Sequence, residues 1–181
     1  FSTYFCHPSM ANDNLSGVVV QAGLIKYIQD KFKKTNYSYR FIFIPETIGS
    51  IAYLSKNLKE MKKNMIAGFN LSCVCDDRCF SHVKSRNGNN LADQALESAF
   101  IGKKNIKKYS FLHRGSDERQ YCAPDIDLPV CGFSRSKFGE YKEYHTNADN
   151  LKIISNKSLQ NSLDILVKIV APTDKDIEKT I

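Results

Sequence analysis

The residues of this chain able to do chemistry stand behind apolar, strand-like runs. His7 and Asp13 lie in "YFCHPSMANDNLSG", and Glu46 follows Pro45 at the end of "YSYRFIFIP". Asp76 and Asp77 follow "MIAGFNLSCV"; Asp117, Glu118 and Arg119 follow "YSFLHRGS"; His145 lies in "GEYKEYHTNADN". In open α/β sheets ligands gather beyond the carboxyl ends of strands. Two imidazoles and a carboxylate from separate loops suit zinc with a position left for water, and a further glutamate can serve as base. By residue type alone, a histidine after a strand is more often a hydrogen-bonded loop residue, and both readings stand.

The elements that must position these groups alternate. Pattern and breakers predict a strand over 1–6, a largely buried helix from Ser16 to about Lys34, a strand over 37–45 and a helix from about Glu46. A strand over 65–74, a weaker and exposed one over 79–86, a helix from an Asn90 cap to about Phe100 and a strand over 106–112 come next. A buried strand starts at Leu128 and a long closing helix at Asn150. This alternation is that of an α/β fold with a mixed, mostly parallel sheet flanked by helices.

With 181 residues, 42% of them hydrophobic and 11% aromatic, the chain fits a single domain over 1–181. It opens on Phe1 without an initiator Met, so a piece of a longer polypeptide is expected. No run approaches the roughly 18 consecutive apolar residues of a membrane span. The net charge of +7 comes from lysines at helical spacing, as in "KNLKEMKK" and "GKKNIKK". Without an arginine cluster or a nucleic-acid motif these read as solvated helix faces, and no nucleic-acid partner is expected.

Six scattered cysteines read as reduced thiols, which points to the cytoplasm. Cys73, Cys75 and Cys79 in "CVCDDRC" form a rival metal site, but no fourth ligand has the usual paired spacing, and burial as small hydrophobes is favoured. Cys122 or Cys131 paired with His145 as a thiol protease is the weaker rival.

Three motifs in order, "HPSMANDNLSG", "IPETIGS" and "YHTNADN", resemble the co-catalytic zinc aminopeptidases of metallopeptidase family twenty-eight, and more closely a branch of uncharacterised bacterial aminopeptidase-like proteins. The resemblance runs from His7 to Asp149. It implies the three-layer zinc-exopeptidase sandwich, with an N-terminal part of the full domain missing from this chain. It also implies that His7 binds one zinc, Asp13 bridges two, His145 binds the other, and Glu46 is the general base. A cis peptide bond after Asp13 comes with the same pattern.

Three positions depart from that pattern. Thr47 stands where the family has a glutamate ligand, Ser72 where it has an aspartate ligand in an "NLDMV"-like strand, and Ser9 where it has an aspartate that orients the imidazole. Removing one ligand from each metal leaves His7, Asp13 and His145, the ligand count of a single-zinc hydrolase. One zinc is therefore expected rather than two, with Asp76, Asp77 or Asp117 as a replacement ligand. Arg119 or Tyr144 is expected to stabilise the oxyanion, and Arg119, Tyr144, Asp117 and Glu118 to contact substrate; a salt bridge from Arg119 to Asp117 or Glu118 is the plain alternative.

The resulting expectation is a zinc-dependent aminopeptidase-like hydrolase, cleaving an N-terminal aminoacyl or acyl-amino amide of a peptide, small molecule or glycan. The alternative is a zinc-binding module of the same fold without peptidase activity, serving recognition or assembly linked to surface polysaccharide synthesis.

Overall fold

The sheet is built outward from a very short strand. β1, Ser2–Tyr4, is buried throughout and pairs in parallel with β2, Ile42–Ile44, and with β3, Gly68–Leu71. Three further strands are β4, Phe80–Val83, β5, Ile106–Tyr109, and β6, Val130–Ser134. In the computed structural model, which describes residues 1–175, the order is β2-β1-β3-β6-β4-β5. Every neighbouring pair is parallel except β4 with β6, so β4 and β5 run against the other four. The mixed, mostly parallel α/β sheet predicted by the alternation is the observed one.

Helices cover both faces. α1, Ser16–Lys31, α3, Leu91–Ala99, and α5, Asn156–Lys175, enclose a core of Val20, Leu24, Leu71, Leu96, Phe133 and Ile165. On the other face α2, Ile48–Asn64, and the single turn α4, Glu118–Tyr121, pack Leu54, Met61 and Tyr121 against Val130. Along β6, Cys131 and Phe133 join the first core and Val130 the second, the two-residue alternation of a strand covered on both sides.

Several boundaries differ from the pattern-based expectation. β2 is three residues long, not nine, because it is an edge strand whose partner β1 offers three residues to pair with. Phe111–His113 form a 3-10 turn instead of continuing β5, since β4 is equally short. β4 was expected to be exposed, yet all four residues are buried, because its polar side chains find partners: His82 Nε2 lies 2.9 Å from Asp93 Oδ1 on α3. The Asn90 cap is present as a reciprocal capping box with Asp93. α5 begins at Asn156, later than expected, where the Ser158 amide donates to Ser155 Oγ and the Ser155 amide to Ser158 Oγ.

α1 lies unusually close to β1. A Cβ at Gly17 would sit 2.3 Å from Thr3 Oγ1 and 2.6 Å from Asn14 Nδ2, whereas at Gly23 the nearest atom, Leu163 Cδ2, is 3.4 Å away. Gly17→Ala is therefore expected to cost about 1–3 kcal/mol by overpacking. Gly23→Ala is expected to be neutral or to stabilise by up to about 1 kcal/mol through helix propensity. Urea denaturation of the two variants checks the contrast, which equal effects would contradict.

Candidate metal centre

The loop after β1 is shaped by its asparagines. Asn14 Nδ2 donates to Thr3 Oγ1 at 2.8 Å and to the Leu71 carbonyl at 2.9 Å, while its Oδ1 accepts from the Cys73 amide. Asn12 Oδ1 accepts from the Cys75 amide at 2.8 Å. The residues flanking Asp13 thus stitch the turn Ala11–Leu15 to the carboxyl end of β3, and the Asp13–Asn14 bond between them is cis. Across the site, buried Asp149 receives the Asn12 amide on Oδ1 at 2.6 Å and the Asp13 amide on Oδ2 at 3.1 Å. Tyr141 Oη also donates to Asp149 Oδ2 at 3.1 Å. This carboxylate binds the His145 segment to the Asp13 loop through charge-assisted bonds.

The two tied segments bring three donor groups together. Ligand atoms of His7, Asp13 and His145 all lie within 4.8 Å of one another. His145 Nε2 is 2.9 Å from Asp13 Oδ2, and the two imidazole centroids are 5.2 Å apart. His145 stacks on Tyr144, ring centroids 4.0 Å apart, and His7 meets Tyr4 edge-on. Asp13 is fully buried and its two oxygens are used differently. Oδ1 accepts from Tyr4 Oη, which also contacts Ser72 Oγ at 2.8 Å. Oδ2 accepts no well-aligned hydrogen bond, and its near neighbour is His145 Nε2 at 2.9 Å. A buried carboxylate with so few donors is costly, and a cation beside it removes that cost. Two imidazole nitrogens and one carboxylate oxygen, with one side open, form a donor set that fits zinc.

Glu46 stands at the same mouth. Burial pushes its carboxyl above the ordinary range, Asp117 and Asp13 add to the shift, and Ser116 and His7 oppose it. Its backbone is held in an unusual way. Thr47 has φ 61° and ψ −67°, and the Ile48 amide donates to the Glu46 carbonyl at 2.7 Å, a γ-turn of the rare strained kind. The Thr47 amide donates to Asp117 Oδ1 at 2.7 Å and Ser50 Oγ donates to the same oxygen at 2.8 Å. Arg119 Nη2 completes the clamp, donating to Thr47 Oγ1 at 3.1 Å. The Cys6 thiol accepts from the Glu46 amide and lies 3.5 Å from His7 Nδ1.

The remaining predicted residues divide. Arg119 is exposed and half-buried Tyr144 lies within electrostatic reach of it; burial raises the Tyr144 phenol above its ordinary range. Asp117 and Glu118, expected to meet substrate, are instead buried and turned inward. Asp117 holds the Glu46 turn, while Glu118 accepts from Asn70 Nδ2 and from the Gly115 and Ser116 amides. Neither forms the salt bridge to Arg119 that was the plain alternative, among the described residues.

The expected replacement ligands are also engaged elsewhere. Asp76 takes the Ser136 amide and hydroxyl, Asp77 takes Ser155 Oγ, and neither joins the His7 group. Cys73, Cys75 and Cys79 are buried free thiols bonded to separate partners, and Cys122 and Cys131 lie in the interior away from His145. His82, Asp93 and Cys131 form a second, wholly buried group of metal-competent atoms, but Asp93 is already saturated by Ser85, Asn90 and His82. The residues missed from sequence are Asp149, Tyr141 and Tyr4; only Asp149 carried a signal, as the last residue of "HTNAD".

With this geometry in view, the likeness to other proteins can be placed. Residues 1–176 match the model of a domain of unknown function (DUF4910). A protein of Clostridium acetobutylicum, described as a candidate polysaccharide biosynthesis protein with aminopeptidase-like domain, is 39% identical over 170 residues, 93% of this chain and 38% of its own length. A crystal structure of a candidate peptidase from the same organism superposes with a TM-score of 0.89 at 37% identity, over 96% of this chain and 40% of that one. The chain thus spans about two fifths of the length of each relative. A zinc aminopeptidase from Bacillus subtilis superposes at 20% identity with a TM-score of 0.80, over 96% of this chain and 45% of that one. The chain belongs to the DUF4910 family, and its fold is that of the family-twenty-eight zinc aminopeptidases its three motifs resemble.

Proposed function

We propose that this chain is the hydrolytic domain of a single-zinc amide hydrolase of the aminopeptidase type, with zinc held by His7, Asp13 and His145 and with Glu46 as general base. The observation that carries the reading is the fully buried Asp13 carboxylate, whose ligand atom lies within 4.8 Å of those of two imidazoles, His7 and His145. Zinc, when bound there, supplies an acidified water and polarises a carbonyl. The chain's own groups do the rest. Glu46 takes a proton at its carboxylate from the attacking water and returns it to the leaving nitrogen, a task its raised affinity for protons suits. Arg119 and Tyr144 are the proposed N–H and O–H donors to the developing oxyanion.

Occupation of Asp13 Oδ1 by the Tyr4 phenol supports one metal over two. A carboxylate that bridges two ions commonly offers one oxygen to each, and one oxygen of Asp13 already accepts from the Tyr4 phenol. Thr47 and Ser72, which replace the two family ligands, have hydroxyls engaged by Arg119 and by Tyr4. Those same substitutions favour the second reading, a peptidase-inactive zinc module for recognition or assembly. The substrate proposed is an N-terminal aminoacyl or acyl-amino compound, and the polysaccharide role in the relative's description extends this to amino groups on glycans. The six free cysteines support a reducing, cytoplasmic setting. Among the described residues no helix is long and apolar enough to cross a membrane.

Elemental analysis of the purified protein is expected to give about one zinc per chain, lost in His145→Ala; about two, or full retention by the variant, would contradict the site. Glu46→Gln is expected to keep its zinc while turnover of aminoacyl or acetyl-amine substrates falls about a hundredfold or more. Unchanged turnover would remove Glu46 from the mechanism. Zinc-dependent folding with no turnover by the parent protein would favour the second reading.

A further inference from the structure

A groove of about 680 Å³ lies between the loop after β4 and residues 110–124, and one of its lining residues, Arg119, bonds to Thr47 beside Glu46. Lys84, Arg86, Arg114 and Arg119 line it together with apolar Phe111 and Pro124, and no acidic side chain does. This differs from the rest of the basic surface, whose lysines are spread along outer helix faces. Here cations from separate segments converge on one concavity, where like charges repel in the absence of an anion and the field is focused.

The cations are also held ready. Arg86 pairs with Asp127 at 2.6 Å at exposed positions, where an ion pair contributes little, and half-buried Lys84 lies 3.5 Å from half-buried Glu97. Arg114 and Arg119 form no ion pair among the described residues. The Arg114 guanidinium lies 4.7 Å from the Phe111 ring centroid and its Nη1 donates to the Phe111 carbonyl. Arg119 is fixed by Ser116 O through Nε and by Thr47 Oγ1 through Nη2. A guanidinium carries five N–H donors in a planar fork, so each arginine is oriented and still has donors to spare for a carboxylate or phosphate. Arg119 belongs both to this groove and to the clamp on the Glu46 turn, which joins the groove to the candidate centre.

We propose that this groove is an anionic subsite: it receives a carboxylate or phosphate, borne on an apolar body, from the molecule whose amide is cleaved at the neighbouring centre. The apolar floor takes the body and the arginine forks take the charge. The word substrate here rests on the hydrolase reading; the anion site does not.

Two experiments on the full-length protein separate the claims. Phenyl phosphate and phenylacetate are titrated by calorimetry into wild type and into Arg114→Gln/Lys84→Gln, whose melting temperature is measured alongside. Binding that weakens about tenfold in the variant, and weakens with added salt, is the expected result. Tighter binding of one probe assigns phosphate or carboxylate. No binding, or binding that the variant leaves unchanged, overturns the subsite. In parallel, aminoacyl amides with glutamate, phosphoserine or alaninamide as leaving group are compared. KM is expected to rise in the variant about fivefold more for the anionic pair than for alaninamide, and an equal rise for all three counts against the subsite. If no amide is turned over, the hydrolase reading fails while the titration still decides the groove.

Discussion

Two backbone amides, those of Asn12 and Asp13, donate to the two oxygens of one buried carboxylate, Asp149. The partners are more than 130 residues apart in sequence, and this contact sets where the His145 segment lies relative to the loop after β1. Tyr141 donates to the same carboxylate, and Arg78 holds neighbouring Glu143 at 2.8 Å. A buried carboxylate is tolerable only when such donors surround it, so the chain can close here in few other ways. With that closure made, the ligand atoms of His145, Asp13 and His7 stand within 4.8 Å of one another.

The same loop bears on how many ions the proposed centre takes. Tyr4 ends β1 within reach of both Asp13 and Ser72, and its phenol bonds to both. On the opposite side Thr47 carries no charge, and its hydroxyl accepts from Arg119. The Arg119 guanidinium is thereby fixed beside the turn that carries Glu46. The strained turn at Thr47 sets where Glu46 lies, and the bonds that Thr47 and Ser50 donate to Asp117 hold it there.

That His7, Asp13 and His145 come together was legible because each sits in a motif of chemically demanding residue types behind a strand-like run. Asp117 and Glu118 were misread because a carboxylate in a polar loop looks alike in sequence whether it faces a cleft or backbone amides. Asp76 and Asp77 failed as ligands for the same reason. β4 looked exposed because Ser81 and His82 are polar; the partner that makes His82 tolerable inside, Asp93, comes from α3. Strand lengths were overestimated at both edges, where the pairing partner and not propensity sets the limit. Asp149 stands in "HTNAD", but its part in joining two segments shows only in its contacts with the distant Asn12 and Asp13 amides, as that of Tyr4 shows in its contact with Ser72.

In the proposed centre Asp13 offers a single oxygen to a single ion. X-ray absorption at the zinc edge of the zinc-loaded protein tests this directly. That arrangement predicts a four-coordinate shell of two imidazoles and two oxygens, one from Asp13 and one from water, with no metal neighbour. A zinc–zinc vector at about 3.5–4 Å, as in bridged two-metal sites, would contradict it.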